Sequence, residues 1–221
     1  QVTDIARVSE KDAVAFVQTA KQSLPDWRID LIDEDVLDWR YPVHTLDTSA
    51  IAAMSGSSFT DFRKNIHRAE RLGLQSRAIK LPDDALILSR IVKRWANDAA
   101  DRYGESEFLQ DPYNFLLKNL VEFSPKIDGF IAFQGNDPIG FAMWQITDPE
   151  KGEAASLATV QCHPQKGVSE YLYREMGVRL LNEGIARVCI GGSETPGLDN
   201  FKLKMNPASS IVLKTIRLSP R

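Results

Sequence analysis

The chain has 221 residues, enough for one large domain or one and a half. Its 27 Lys and Arg stand against 30 Asp and Glu, a net charge of −3 that excludes a general polyanion binder and confines nucleic-acid contact to a local patch. Apolar residues at 43% supply a core, yet no run approaches the roughly 18 needed for a helical membrane span.

The predicted elements begin with a helix over residues 9–23, where Ser9 and Asp12 stand three apart and Ala13, Val14, Phe16, Val17 and Ala20 mark one face. Strands are expected over 27–32 and 41–46, Pro42 placing the second at an edge or a strand start. A helix over 58–71 ends at Gly73, a residue suited to a left-handed cap, and 74–79 reads as a short strand. The clearest helix is 83–103, with Leu88, Ile91, Val92, Trp95, Ala99 and Tyr103 at steps of three and four. A further helix is expected over 112–123, stopped by Ser124 and Pro125. Then the pattern changes. Strands over 129–134 and 139–147 flank Gly135-Asn136-Asp137-Pro138, a hairpin signal. A third strand over 155–162 and a helix over 168–182 follow, then a strand over 187–190, a helix over 198–205 and a last strand over 210–218. This order predicts an α/β (α+β) fold with a mixed sheet. Residues 1–80 read as an N-terminal part with a basic helix, and 81–221 as the catalytic core.

Two stretches carry the candidate chemistry. The first runs from the third hairpin-region strand into a helix through Cys162, Gln165, Lys166, Gly167, Val168 and Ser169. Such a loop aims backbone N–H groups and the positive end of a helix dipole at one point, which suits a phosphate or a developing negative charge. The same residues also read as an ordinary strand-to-helix turn. The second is the helix carrying Arg63, Lys64, His67, Arg68 and Arg71, a basic ridge diluted by Asp61 and Glu70. It fits a tRNA stem, a phospholipid head group or coenzyme phosphates; it also fits a solvated, salt-bridged face. Phe59, Phe62, Ile66, Ala69 and Leu72 form its buried side.

The element order resembles the GNAT acyltransferase fold. In that family a loop of the form Gln/Arg-x-x-Gly-x-Gly/Ala holds the donor pyrophosphate; here Gln165-Lys166-Gly167-Val168-Ser169 is compressed and lacks the second glycine. The tyrosine that many members carry as general acid has no counterpart in 198–205. Gly167-Val168-Ser169-Glu170-Tyr171-Leu172-Tyr173, then Ile190-Gly191-Gly192-Ser193-Glu194, and Gly197-Leu198-Asp199 with Phe201, Lys202, Lys204 and Pro207 look like the C-terminal catalytic domain family of phosphatidylglycerol lysyltransferases. Met54 to Phe59, leading into the basic helix, adds to the resemblance, which spans roughly 41–220.

The resemblance implies a GNAT-like transferase moving an acyl or aminoacyl group directly from an activated ester to an amine or hydroxyl, with a lipid head group as one acceptor. Aminoacyl-tRNA is the favoured donor co-substrate and acyl-coenzyme A the alternative, with no cofactor held tightly. In that chemistry Glu194 binds or deprotonates the acceptor, Lys202 and Lys204 offer positive charge, and Ser193 orients substrate. Glu194 also reads as a helix cap, and the lysines as a solvated face. A catalytically idle binding module is the rival from another class.

The remaining features read as structure. His44, His67 and His163 show no metal spacing, and no Gly-x-Ser-x-Gly elbow announces a serine nucleophile. Cys162 and Cys189 are expected as inert buried thiols, and two cysteines cannot make a disulfide framework, which suggests a reducing, cytoplasmic setting. Without a leader or an initiating Met, the expectation is the catalytic end of a longer chain, and the resemblance implies the soluble part of a membrane-associated protein.

Overall fold

Apolar periods of two and 3.6 alternate along the chain, and the computed structural model, which describes residues 4–32, 41–103, 107–120, 127–162, 165–193 and 195–221, resolves them into strands and helices. In chain order these are β1 (Asp4–Ser9), α1 (Glu10–Ser23), β2 (Trp27–Ile32), β3 (Val43–Asp47) and α2 (Thr48–Ala53). A 3-10 turn (Ser57–Phe59) leads into α3 (Thr60–Arg71), then β4 (Leu74–Ala78), α4 (Ala85–Tyr103) and α5 (Glu107–Lys118). The second half runs β5 (Ile127–Gln134), β6 (Asp137–Asp148), β7 (Glu153–Gln161), α6 (Val168–Asn182), β8 (Arg187–Cys189), α7 (Pro196–Leu203), β9 (Ser209–Ile211) and β10 (Leu213–Pro220). No helix among the described residues is long and apolar enough to cross a membrane.

Most expected elements stand within two residues of their predicted ends. Four differ, the first being β1, Asp4–Ser9, a strand that was not expected and that pairs with β10. The helix expected over 112–123 is α5, Glu107–Lys118, so Pro112 lies in its second turn instead of opening it. The single strand expected over 210–218 is two, because Ser209–Ile211 pairs with β3 while Leu213–Pro220 pairs with β1 and β2. The short α2 was not expected, although Asp47 announces it: its Oδ1 accepts the Ala50 N–H at 2.9 Å, an N-cap bond.

The chain forms two compact units, one of residues 1–45, 190–203 and 207–221, the other of 46–189 and 204–206. Residue 80 falls inside the second.

In the second unit five strands lie in the order β4-β5-β6-β7-β8, antiparallel except for the parallel β7–β8 pair. Gly135, at φ +61°, turns the β5–β6 hairpin as its sequence requires. On one face α4 sets Leu88, Ile91 and Val92 against Ile131, Phe141, Met143 and Val160. Each such fully buried side chain contributes roughly 1.5–3 kcal/mol. On the other face α6, the crossover between β7 and β8, brings Leu172 against Gly140 and Arg179 over the ring of Phe130. The result is a mixed sheet flanked by helices. Gly177 seats α6 on α2, since a methyl there would overlap Ile51 and crowd the Thr48 carbonyl.

In the first unit β1-β10-β2 form an antiparallel sheet with α1 packed against it. The first half of β3 pairs with β9, with His44 opposite Ser210, and exchanges backbone bonds with the segment after β8: Ile190 N–H to His44 O at 2.9 Å and His44 N–H to Gly191 O at 3.2 Å.

Candidate functional site

The parallel pair β7–β8 is short. Glu153, Ala154 and Ala155 stand opposite Arg187, Val188 and Cys189, and beyond Ala155 no further pairing follows among the described residues. β7 continues to Gln161 along β6, so its other edge carries main-chain N–H and C=O groups with no strand beside them among the described residues. At the same place the β6–β7 register slips: Met143 faces Ala158 and Trp144 faces Ser156, leaving Leu157 as the extra residue of a bulge. Leu157 is 36% exposed, unusual for an apolar side chain mid-strand, and its backbone has no partner on β6. The splay is therefore an open edge of polar backbone. Ser156 Oγ and Thr159 Oγ1 lie 3.4 Å apart beside it, and Ser169 Oγ donates to Gln161 Oε1 at 2.7 Å, tying the start of α6 to the end of β7.

The loop into α6 departs from its expected role in three places. Gly167 adopts φ +101°, but its open side faces α3: a methyl there would overlap the carbonyl oxygen of Asn65 and stand 3.2 Å from the Ala69 nitrogen. The glycine admits a helix backbone, not a ligand. Cys162 is corrected likewise. Its N–H bonds Ile139 O at 2.8 Å, and its thiol lies in the core beneath α4, donating to Pro138 O at 3.4 Å. Burial pushes that thiol's pKa up, so it is an inert core side chain. Val168 is buried, and its N–H bonds Gln165 O at 3.3 Å. Gln165 and Lys166 are exposed, whereas Ser169 is half-buried and its hydroxyl is engaged by Gln161. His163 lies outside the described residues.

On α3, Arg63 is half-buried and bonded internally: Nη1 donates to Met54 O at 2.5 Å and Gly56 O at 2.7 Å, closing the C-terminus of α2. It therefore leaves the ridge. Arg68, half-buried, donates to Asn65 Oδ1 at 3.2 Å, and exposed His67 pairs with Glu70 at 2.8 Å. Lys64 and Arg71 are exposed. Arg174 of α6 joins this face, 3.5 Å from Glu70, a neighbour that no spacing in the sequence reveals.

In the first unit, Lys202 does not present its ammonium to solvent or to a phosphate. It is 4% exposed, and Nζ donates to the carbonyls of Ile190 at 2.9 Å, Gly191 at 3.4 Å and Gly192. A desolvated cation is tolerated there because carbonyl oxygens replace its water. The expected phosphate-facing or oxyanion-facing cation is thus a clamp on the 190–192 backbone. Ser193 is fully buried, and its hydroxyl finds no partner among the described residues. Glu194 lies outside the described residues. The cap of α7 is Thr195, whose Oγ1 accepts the Leu198 N–H at 3.2 Å. Lys204 is exposed.

Sequence reasoning missed one cluster. His44, 1% exposed, places Nε2 2.8 Å from Asp199 Oδ1 and Nδ1 2.8 Å from Ser210 Oγ. Asp199 and Ser210 lie 155 and 166 residues from His44, beyond any local pattern.

No family model and no curated protein sequence matches this chain. Solved structures do. A conserved protein of unknown function from Bacteroides thetaiotaomicron superposes with a TM-score of 0.73 at 13% identity, over 99% of this chain and 69% of that one. L-PGS from Bacillus licheniformis gives 0.62 at 14%, over 98% and 67%. A GCN5-related N-acetyltransferase from Kribbella flavida gives 0.53 at 12%, over 98% and 67%. The fold is the GNAT-like one of the lysylphosphatidylglycerol synthetase C-terminal domain, as the sequence resemblance implies. This chain spans about two thirds of the length of each neighbour named.

Proposed function

We propose that this chain transfers an acyl or aminoacyl group from an activated ester to an amine or hydroxyl, at the splay between β7 and β8. The single observation carrying this reading is the coincidence of three features at one point: the last β7–β8 rung at Ala155, the bulge at Leu157, and a polar backbone edge beyond. An ester carbonyl laid along that edge meets main-chain donors where negative charge develops, the arrangement that stabilises a tetrahedral oxyanion. The acceptor attacks directly, and the resemblance, not a position in the structure, offers Glu194 as the base that takes its proton. Lys204 is the cation left to face substrate phosphate. Ser193 keeps the orienting role that the resemblance implies, with no position assigned to it at β7–β8; its hydroxyl has no partner among the described residues.

Aminoacyl-tRNA is the favoured donor. Gly167 is packed against α3 rather than open to a pyrophosphate, whereas Lys64, Arg68 and Arg71, with Arg174, keep a cationic surface suited to a nucleic-acid backbone. L-PGS among the fold neighbours makes a lipid head group the acceptor to test first. Calorimetry of the full chain with charged tRNA and with acetyl-coenzyme A decides the donor. Binding of tRNA that weakens steeply with salt and in the K64E/R71E variant is the expected result; micromolar coenzyme binding alone replaces it with an acyl-coenzyme A dependent N-acyltransferase. Binding of neither, with no turnover, leaves an idle module.

A further inference from the structure

His44 is nearly sealed from solvent, and both its ring nitrogens are engaged at 2.8 Å. A carboxylate only accepts, so the neutral ring must carry its proton on Nε2 and donate it to Asp199. Nδ1 is then a lone pair, and it accepts the hydroxyl proton of Ser210. Ser210 itself is exposed, on the strand β9 directly opposite His44. Buried base, oriented by a carboxylate, bonded to an exposed hydroxyl: these are the roles of a nucleophilic relay. The ring is turned relative to serine proteases, where the hydroxyl meets Nε2, but either imidazole nitrogen serves as base when the other is held protonated.

We infer that Ser210 is a nucleophile, activated by His44 and Asp199, that forms a covalent acyl-enzyme with ester substrates. Ser210 Oγ attacks the carbonyl carbon as its proton passes to His44 Nδ1. The bond from that carbon to the leaving oxygen then breaks, and the leaving alcohol takes the proton from Nδ1. Water or an amine next attacks the acyl-serine, gives its proton to Nδ1 and releases acid or amide; Nδ1 returns the proton to Ser210. This activity goes beyond direct transfer at β7–β8 and stands or falls without it.

The experiment treats the full chain with an alkyl fluorophosphonate, which loses fluoride to an activated serine oxygen, and maps the adduct by peptide mass. The expected result is one adduct on Ser210, absent in S210A, and formed roughly a hundredfold more slowly in D199N, the order of a lost acid–base contribution. S210A removes the partner of a buried ring nitrogen, so its unfolding midpoint should fall below the parent's; a cooperative unfolding transition and a parent-like circular dichroism spectrum serve as the folding control. No adduct, an adduct on another residue, or equal labelling of a folded D199N overturns the inference and leaves His44 as a buried cross-link between β3, α7 and β9. The parent chain's labelling alone decides the matter should D199N fail to fold.

Discussion

Gly167 lies so close to the carbonyl oxygen of Asn65 that no side chain can stand between α6 and α3 at that point. Two constraints meet there, the positive φ of +101° and the missing space. The obstructing atom is backbone and cannot swing aside. Gly167→Ala should therefore lower the unfolding free energy by about 2–4 kcal/mol, combining left-handed strain with overpacking. Urea denaturation checks this; an unchanged midpoint would mean that α3 and α6 stand further apart.

Lys202 is expected to matter for stability before it matters for turnover. Replacing it by Met leaves the carbonyls of Ile190, Gly191 and Gly192 without their ammonium donor, at a cost of about 2–3 kcal/mol. Lys202→Arg should not restore the loss, since a planar guanidinium cannot occupy a site shaped around a point charge. Denaturant midpoints of both variants are the measurement. A full-stability, zero-turnover K202M would instead put the ammonium on substrate.

Asp84 supplies a pH dependence whose sign follows from its surroundings. Arg77 bonds both its oxygens, at 2.6 and 2.7 Å, and the Lys80 N–H adds a third bond at 2.7 Å. These hold the carboxyl below the ordinary aspartate value of about 3.9, the Arg77 bond first among them. A depressed native pKa contributes stability that is complete above the unfolded value and is lost as pH falls through the native one. Thermal unfolding from pH 7 down to 2 should show a steeper acid loss in the parent than in D84N. Parallel curves would show that the pair carries no linkage.

Which features could be foreseen follows the range of the interactions that create them. The α6 bounds, Val168–Asn182, come from Val168, Leu172, Met176 and Leu180 at steps of four and from Gly184 after the end, all local signals. The hairpin at Gly135 is equally local. The bulge at Leu157 was not expected, because its cause is a register slip against a strand whose sequence gives no count of rungs. Lys202 read as a solvated or catalytic cation because nothing nearby announces that three carbonyls from residues ten to twelve earlier converge on it. Gly167 was expected to serve a ligand, and it serves α3 instead, because the sequence of the loop does not say which element packs against it. His44, Asp199 and Ser210 meet only through β3, α7 and β9, so their conjunction exists at the tertiary level alone.

Of the two glycines that seat α6, Gly177 meets the Ile51 side chain on α2, whereas Gly167 meets only main chain on α3, where no rotamer is available to absorb a shift. A mould of that kind is cast once, during folding, and does not adapt to each guest. The entropy of ordering the helix is then charged to folding, so a ligand proposed at this loop would meet a pre-ordered backbone. Changes of preference along the lineage should accordingly accumulate at Gln165 and Lys166, the exposed positions that can vary without recasting the mould.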